Sequence, residues 1–383
     1  MAFISAAEPR VRYRRLPFRF ALIAAFAMAA AALAPLSARA AEEVFTVDVA
    51  VDATAQTAAA ARERALQEGQ RQAFERLLQR LTPAAERARL PRLTDTAIAD
   101  LVRDFEISGE KTSPVRYIAN LTVRFKPADV RNILRQRGVA FSETPSKPVL
   151  VLPVYHGDAG AVLFEENPWQ AAWAAFAPGD GLVPFLLPRN DAADAAAITP
   201  EQAESGDAAA LRAVARRYGA ADVLVAVARP HQDASGRIAL DVSASRFGTA
   251  ATEESVVSSF APEANDISAY AVFDRATAAI AARVGETWKQ SSLLRFGSER
   301  EISARVPLDG IDTLVSVMHG LDGLAPIQRV DLIRVAHDEA EVRLRFVGDE
   351  NQLALLLAQR DLALQQDEAG FVLRSTARAG GRP

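Results

Sequence analysis

Four branched apolar residues, Val149-Leu150-Val151-Leu152, stand between Pro148 and Pro153, and no other stretch restricts the fold of this chain as strongly. A run that is apolar at every position, without alternation, reads as a strand buried on both faces. Such strands belong to sheets with helices on both sides, so the segment predicts the first strand of a central α/β unit. Ser142 to Pro148, rich in Ser, Thr and Pro, reads as the joint in front of it.

Beyond the strand, Asn167-Pro168 supplies an N-cap and a proline for the first helical position. The helix from Pro168 to Ala177 carries Trp169, Trp173 and Phe176 at i, i+4, i+7, on one face. Leu182 to Leu187 is a second apolar run, Asp207 to Tyr218 a helix closed by Gly219, and Asp222 to Val227 a third buried strand. Strand, helix, strand, helix, strand implies a largely parallel sheet. A hairpin over Ile238 to Val242 and Val256 to Phe260 extends it, and a helix lined by Phe273, Ile280, Val284 and Trp288 closes it.

Towards the N-terminus, Phe45, Val47, Val49 and Val51 alternate with Thr46, Asp48 and Ala50 as a half-buried strand does. A long helix follows, with Ala61, Ala65, Gly69 and Ala73 as a small-residue ridge beside Leu66, Phe74, Leu77, Leu78 and Leu81. Two further strands, the first begun by Phe105 and Ile107 and the second running from Val115 to Phe125, form a hairpin around Gly109 to Pro114. A short helix from Pro127 to Gly138 completes a β-α-(α)-β-β-α unit. Arg87, Arg89, Arg92 and Arg103 form a modest basic cluster, read as solvated loop.

Past Arg300 the order is β-α-β-β-α-β: Ile302, Ala304 and Val306; a helix with Leu314, Val317, Met318 and Leu321; Ile327 to Val335; Val342, Leu344 and Phe346; a helix with Leu353, Leu356 and Leu357; and Leu362 to Leu373. That order is a split-βαβ, ferredoxin-like unit. The expected fold class is therefore α+β and α/β, multi-domain. It comprises an N-terminal α+β domain over 41–143, a central α/β domain over 147–292, a C-terminal ferredoxin-like domain over 298–375 and a disordered tail over 376–383.

The first 40 residues read as an export signal. Arg10, Arg12, Arg14, Arg15 and Arg19 precede an apolar run from Ala21 to Leu36, and Ala38-Arg39-Ala40 offers small residues where a signal peptidase cuts, predicting cleavage after Ala40. A transmembrane anchor is the competing reading, but the run of about 16 residues is alanine-rich, contains Pro35 and is short for a bilayer.

Several segments resemble a known family. Lys147-Pro-Val-Leu-Val-Leu-Pro-Val154, Asn167-Pro-Trp-Gln-Ala-Ala-Trp173, Gly179-Asp-Gly-Leu-Val-Pro184 and Arg217-Tyr-Gly-Ala-Ala-Asp222 look like the secreted proteobacterial family of unknown function 2066. The likeness spans roughly Glu43 to Gln290 and carries no catalytic residues. More distantly, the Val-Leu-Val-Leu-Pro strand is similar to the N-terminal domain of the periplasmic translocation protein TolB, an analogy of fold. The resemblance implies a periplasmic location.

Charge and composition narrow the function. The chain carries −4 overall, and the first 40 residues hold six arginines against one acid, so the remainder carries 38 basic and 47 acidic groups, or −9. Nucleic acid is a poor partner for that charge. Cysteine is absent, which excludes disulfides, thiolate catalysis, Cys-ligated zinc and a lipid-modified cysteine. None of G-x-S-x-G, H-E-x-x-H, a P-loop, an EF-hand loop or G-x-G-x-x-G occurs. His156, His231, His319 and His337 fall in different predicted units, with no metal-like spacing.

One ligand site remains readable. His156-Gly157-Asp158 lies past the C-terminal end of the central strand, where α/β sheets place ligands, and Asn190, Asp191 and Asp194 follow the second strand. Trp169 and Trp173 read as core, with stacking on a sugar such as a peptidoglycan fragment as the alternative. The expectation is a non-enzymatic periplasmic protein without cofactor or metal, working through envelope or periplasmic proteins. The rival is a small-ligand or glycan binder, or an enzyme, using His156, Asp158, Asp191, Trp169 and Trp173.

Overall fold

The structure, a computed structural model, describes residues 43–176, 181–248, 255–264, 266, 268–294 and 299–376. The export signal with its cleavage position, and the tail beyond 376, lie outside the described residues. The described residues are mixed α and β, with three separate sheets among them.

The first sheet is built from β1 (Thr46–Thr54), β2 (Val102–Thr112) and β3 (Arg116–Phe125), in the antiparallel order β1-β3-β2. Helix α1 (Ala58–Leu81) lies across it, begun by Thr57, whose Oγ1 accepts from the Ala60 amide at 3.2 Å. Its small ridge lets the helix approach closely: a methyl added at Gly69 would overlap the Leu121 and Val51 side chains. Val47, Val49 and Val51 stand opposite Val123, Leu121 and Ala119, and all six are buried under α1. A 3-10 turn (Ala84–Arg89), α2 (Asp95–Leu101) and α3 (Pro127–Gln136) complete the unit. Gly109 is not in the hairpin turn. At φ +62° it forms a bulge inside β2, where the register slips between Ser108 and Lys111, and the chain turns at 113–115.

The central sheet contains β4 (Val149–Gly157), β5 (Gly160–Val162), β6 (Phe185–Leu186), β7 (Asp222–Gln232), β8 (Ile238–Gly248) and β9 (Ser255–Phe260). The order is β5-β4-β7-β8-β9, with β6 also on β4. β4 is buried on both faces as its composition requires. Leu150, Leu152 and Val154 join Leu211 and Val214 of α7 (Ala208–Tyr218), while Val149 and Val151 join the cluster holding α4 (Pro168–Ala175) and α8 (Ala271–Ser291). Parallel pairing links β6 to β4 and β4 to β7, and the other three pairings are antiparallel, so the sheet is mixed. The physical reason is the long β7–β8 hairpin, whose eleven-residue ladder outweighs the two-residue β6. Short helices α5 (Ala192–Ala197) and α6 (Pro200–Glu204) bridge β6 to α7.

The third sheet holds β10 (Glu299–Pro307), β11 (Ile327–Val335), β12 (Glu339–Val347), β13 (Leu362–Asp367) and β14 (Gly370–Ser375), in the order β11-β12-β10-β14-β13. Helices α9 (Ile311–Leu321) and α10 (Glu350–Ala358) pack on it, around a core of its own. The split-βαβ order is present, but Leu362 to Leu373 is not one strand. Asp367 Oδ1 accepts from the Ala369 amide at 2.9 Å and Gly370 takes φ +117°, so the segment folds back on itself. β14 then pairs parallel with β10 in the place that the fourth ferredoxin strand would take, and β13 becomes the edge.

Ser142 to Pro148, the joint between the first two units, runs through the interior. Ser142, Glu143, Thr144 and Ser146 are buried, and their polar groups are used there. The hydroxyls of Ser142 and Ser292 meet at 2.6 Å, Trp288 Nε1 donates to the Thr144 carbonyl at 2.8 Å, and Arg131 Nε donates to Glu143 at 2.8 Å. Lys289 Nζ reaches across to the Gln79 and Thr82 carbonyls at 3.1 and 2.9 Å, where α1 ends. The first two sheets consequently share one apolar cluster. The third unit is tied on through Lys147, whose ammonium meets Asp361 at 2.6 Å and whose amide donates to Gln359 at 2.7 Å.

Candidate functional site

The C-terminal end of β4 carries a charged row that crosses the sheet. Leu150, Leu152 and Val154 point to the α7 side, so His156 does as well, and Arg229 follows Val223, Val225 and Val227 on the same side of β7. Arg229 stands opposite Asp241 on β8, and Asp241 opposite Ser259 on β9. His156, Arg229, Asp241 and Ser259 thus occupy one row of the pleat across four strands.

Glu204 joins the row from α6. That helix starts with a capping box, Thr199 Oγ1 accepting from Gln202 N while Gln202 Oε1 accepts from Thr199 N. Glu204 at its end meets His156 Nε2 at 2.7 Å through Oε1 and Arg229 Nη2 at 2.6 Å through Oε2, while Arg229 Nη2 lies 3.3 Å from His156 Nε2. Ser259 Oγ donates to Asp241 at 2.5 Å, and His231 Nδ1 lies 3.5 Å from the other Asp241 oxygen. Nucleophilic catalysis needs the histidine between the hydroxyl and the carboxylate. Here the carboxylate is in the middle, so His231 does not activate Ser259. The row offers fixed donors and acceptors on an open face, which suits contact with a polar surface.

Of the five residues expected to form a ligand site, only His156 enters this cluster. Asp158 is exposed in the turn between β4 and β5. Asp191 is the N-cap of α5, accepting from the Ala193 and Asp194 amides at 3.0 and 2.9 Å, and it binds Arg217 of α7 at 3.1 Å. Arg217 lies in the turn of α7 that leads into the start of β7, whereas His156 lies seven residues beyond Val149, which stands opposite the first residue of β7, or about 23 Å along the strand. Asp191 and His156 therefore serve different ends of the sheet, and a shared acid-base site is not assembled. Trp169 and Trp173 are 0% and 2% exposed. Trp169 Nε1 donates to the Ala226 carbonyl at 2.9 Å, and the two rings pack edge to face at 5.7 Å. Neither ring has a face for a sugar, because the helix that displays them lies flat on the sheet.

Asp194, in α5, is fully buried. Tyr218 donates to it at 2.5 Å and Arg217 Nε at 3.0 Å. Burial raises its carboxyl, but the Tyr218 and Arg217 hydrogen bonds overcome that and hold it below the ordinary value. The unfolded chain then binds more protons between the two values, so stability rises with pH there and is lost on acidification from about pH 4 downward. Acid unfolding of an Arg217→Met variant is expected to begin at higher pH than that of the parent, by circular dichroism. Identical acid midpoints would refute the assignment.

Arg229, His231, Asp241, Glu204 and Ser259 were not legible as site residues in the sequence. Arg229-Pro230-His231 lies towards the C-terminal end of β7 and was open to the reasoning that picked His156. Glu204, Asp241 and Ser259 join only through strand register and the position of α6. Among the described residues no group of three His, Cys, Asp or Glu side chains is placed to hold a metal ion. No helix among them is long and apolar enough to cross a membrane.

Residues 38–143 match the family model described as Domain of unknown function (DUF8605), which covers the first sheet and its helices. No curated protein matches the chain. No solved structure matches it either.

Proposed function

We propose that the chain is an exported protein of the bacterial cell envelope, cut after Ala40, that works in the periplasm by holding other proteins and not by turning over a substrate. The export reading is supported by the basic and apolar N-terminus and by the resemblance to secreted family 2066. Intact-mass measurement on periplasmic protein tests it, since retention of residues before Ala41 removes it.

The observation that carries the binding role is an uncovered apolar edge on the third unit. Leu332 and Val335 of β11 face the helix side, opposite Val342 and Ala340 of β12. The β12 residues are buried, whereas Leu332 and Val335 are 45% and 50% exposed; of β11, it is Ile327 and Val330 that pack against the core. α9 presents Ile311, 68% exposed, and Val315 on the flank away from Gly320, which packs on Leu362. With Ile333, these make five of the nine large apolar side chains exposed among the described residues. Leu332 and Val335, exposed on the helix side of a free strand edge, support a protein contact there.

Changing Leu332 to Arg and Val335 to Glu together is expected to leave the melting temperature unchanged and to abolish the partners that the parent captures from crosslinked envelopes. An unchanged partner set places the binding surface elsewhere. The second reading, a small-ligand or glycan site, rests on the open His156, Arg229, Asp241 and Ser259 row. It predicts that Arg229→Ala, not the edge variant, removes binding.

A further inference from the structure

The outer strands of the three sheets differ in their charge. β1, β2, β11 and β13 each carry charged residues, Asp48, Arg103, Arg329 and Asp367 among them, and β5 is only three residues long. β9, Ser255-Val256-Val257-Ser258-Ser259-Phe260, has no charge and no proline, and its ladder with β8 runs without a register shift. Its other edge has no neighbour among the described strands. The backbone donors and acceptors along such an edge suit a further strand, and charge, proline and bulges are the devices that keep one away. β9 has none of them.

The surroundings of β9 fit one more strand. Val256 and Ser258 stand opposite Ala244 and Val242, on the α8 face of the sheet, and border a cleft of ≈ 390 Å³ whose far wall includes Ala279 and Ile280 of α8. On the other face Val257, opposite Ser243, is 77% exposed, the most exposed large apolar side chain among the described residues. Residues opposite each other in a ladder share a face, so a second β9 laid antiparallel must pair odd positions with odd. Centred on Val257, that pairing sets Val257 against its own copy, Ser255 against the copy's Ser259, and Val256 against the copy's Ser258. The copy's Val256 and Ser258 then enter the cleft beside Ala279 and Ile280, and no like charges meet.

We propose that β9 is a self-association edge: two copies of this chain pair β9 with β9, antiparallel about Val257, and join their central sheets into one. The contact is isologous and closes at two copies. It is independent of the protein-binding edge on the third unit.

The test is sedimentation velocity on the chain from Ala41 onward, across roughly 1 to 100 µM, where short interfaces dissociate. A monomer–dimer equilibrium is expected in the parent, and also in the Leu332→Arg, Val335→Glu double variant. Val257→Lys and Val257→Glu each set two like charges opposite one another, and each alone is expected to weaken the dimer by about tenfold or more. Melting should be unchanged, because the side chain is exposed. An equimolar mixture of the two variants pairs Lys with Glu and is expected to recover the dimer. A parent that stays monomeric throughout leaves the edge to a strand of a different protein and overturns the proposal. A dimer that survives both single substitutions lies on another surface and also overturns it. Loss in the single variants without recovery in the mixture rules out the pairing about Val257.

Discussion

Replacing Trp169 by alanine is expected to cost about 3–5 kcal/mol, as removing a fully buried tryptophan does. The ring is wholly enclosed, packs on Trp173 and Phe273, and donates its Nε1 proton to the Ala226 carbonyl on β7. Alanine removes the packing, leaves a cavity between α4, α8 and the sheet, and takes one hydrogen bond from that carbonyl. Trp173→Ala is expected to fall at the lower end of the same range. Its ring packs against Phe176 and Phe185, nearer the surface, and its own Nε1 has no hydrogen-bond partner among the described residues. Thermal or urea unfolding measures both. A Trp169→Ala protein that melts like the parent would contradict the packing described for α4.

Breaking the buried ion pair between Asp222 and Arg246 should be comparably damaging, about 3–5 kcal/mol for removal of either partner. Arg246 donates to Asp222 Oδ2 from Nε at 2.9 Å and from Nη2 at 2.5 Å, both side chains are at most 5% exposed, and the guanidinium lies 6.0 Å over the Trp288 ring. The cost arises because the remaining charge is stranded in a dry interior, more than because the pair itself is strong. Asp222→Ala and Arg246→Ala should each destabilise severely, while Asp222→Leu combined with Arg246→Met should recover most of the loss. A double variant as unstable as the singles would show that the pair contributes through more than its mutual neutralisation.

The same contrast between local and long-range determination runs through the candidate site. His156 was readable because it stands at the end of a strand whose composition declares it buried. Asp191 and Asp158 were grouped with it by the same rule about strand ends. The grouping failed because β6 is two residues long and leaves Asp191 at the level of the α7 C-terminus. Trp169 and Trp173 were correctly placed on one helical face, but whether that face met sheet or solvent depended on where α4 docked.

What the sequence determined by itself is whatever periodicity within one element encodes. The two-sided burial of β4, the ridge of α1 and the strand-and-helix order of the third unit as far as α10 all follow from spacing along a single segment. Only the tertiary structure decided which segments meet. The row His156, Arg229, Asp241 and Ser259 exists because three ladders fix the register of β4, β7, β8 and β9 across more than a hundred residues of chain. The Ser- and Thr-rich joint reads as surface by composition, yet it is buried because its hydroxyls and carbonyls find partners on α8. Residue spacing specifies which way a side chain points from its own backbone, and it carries no information about what will be packed opposite.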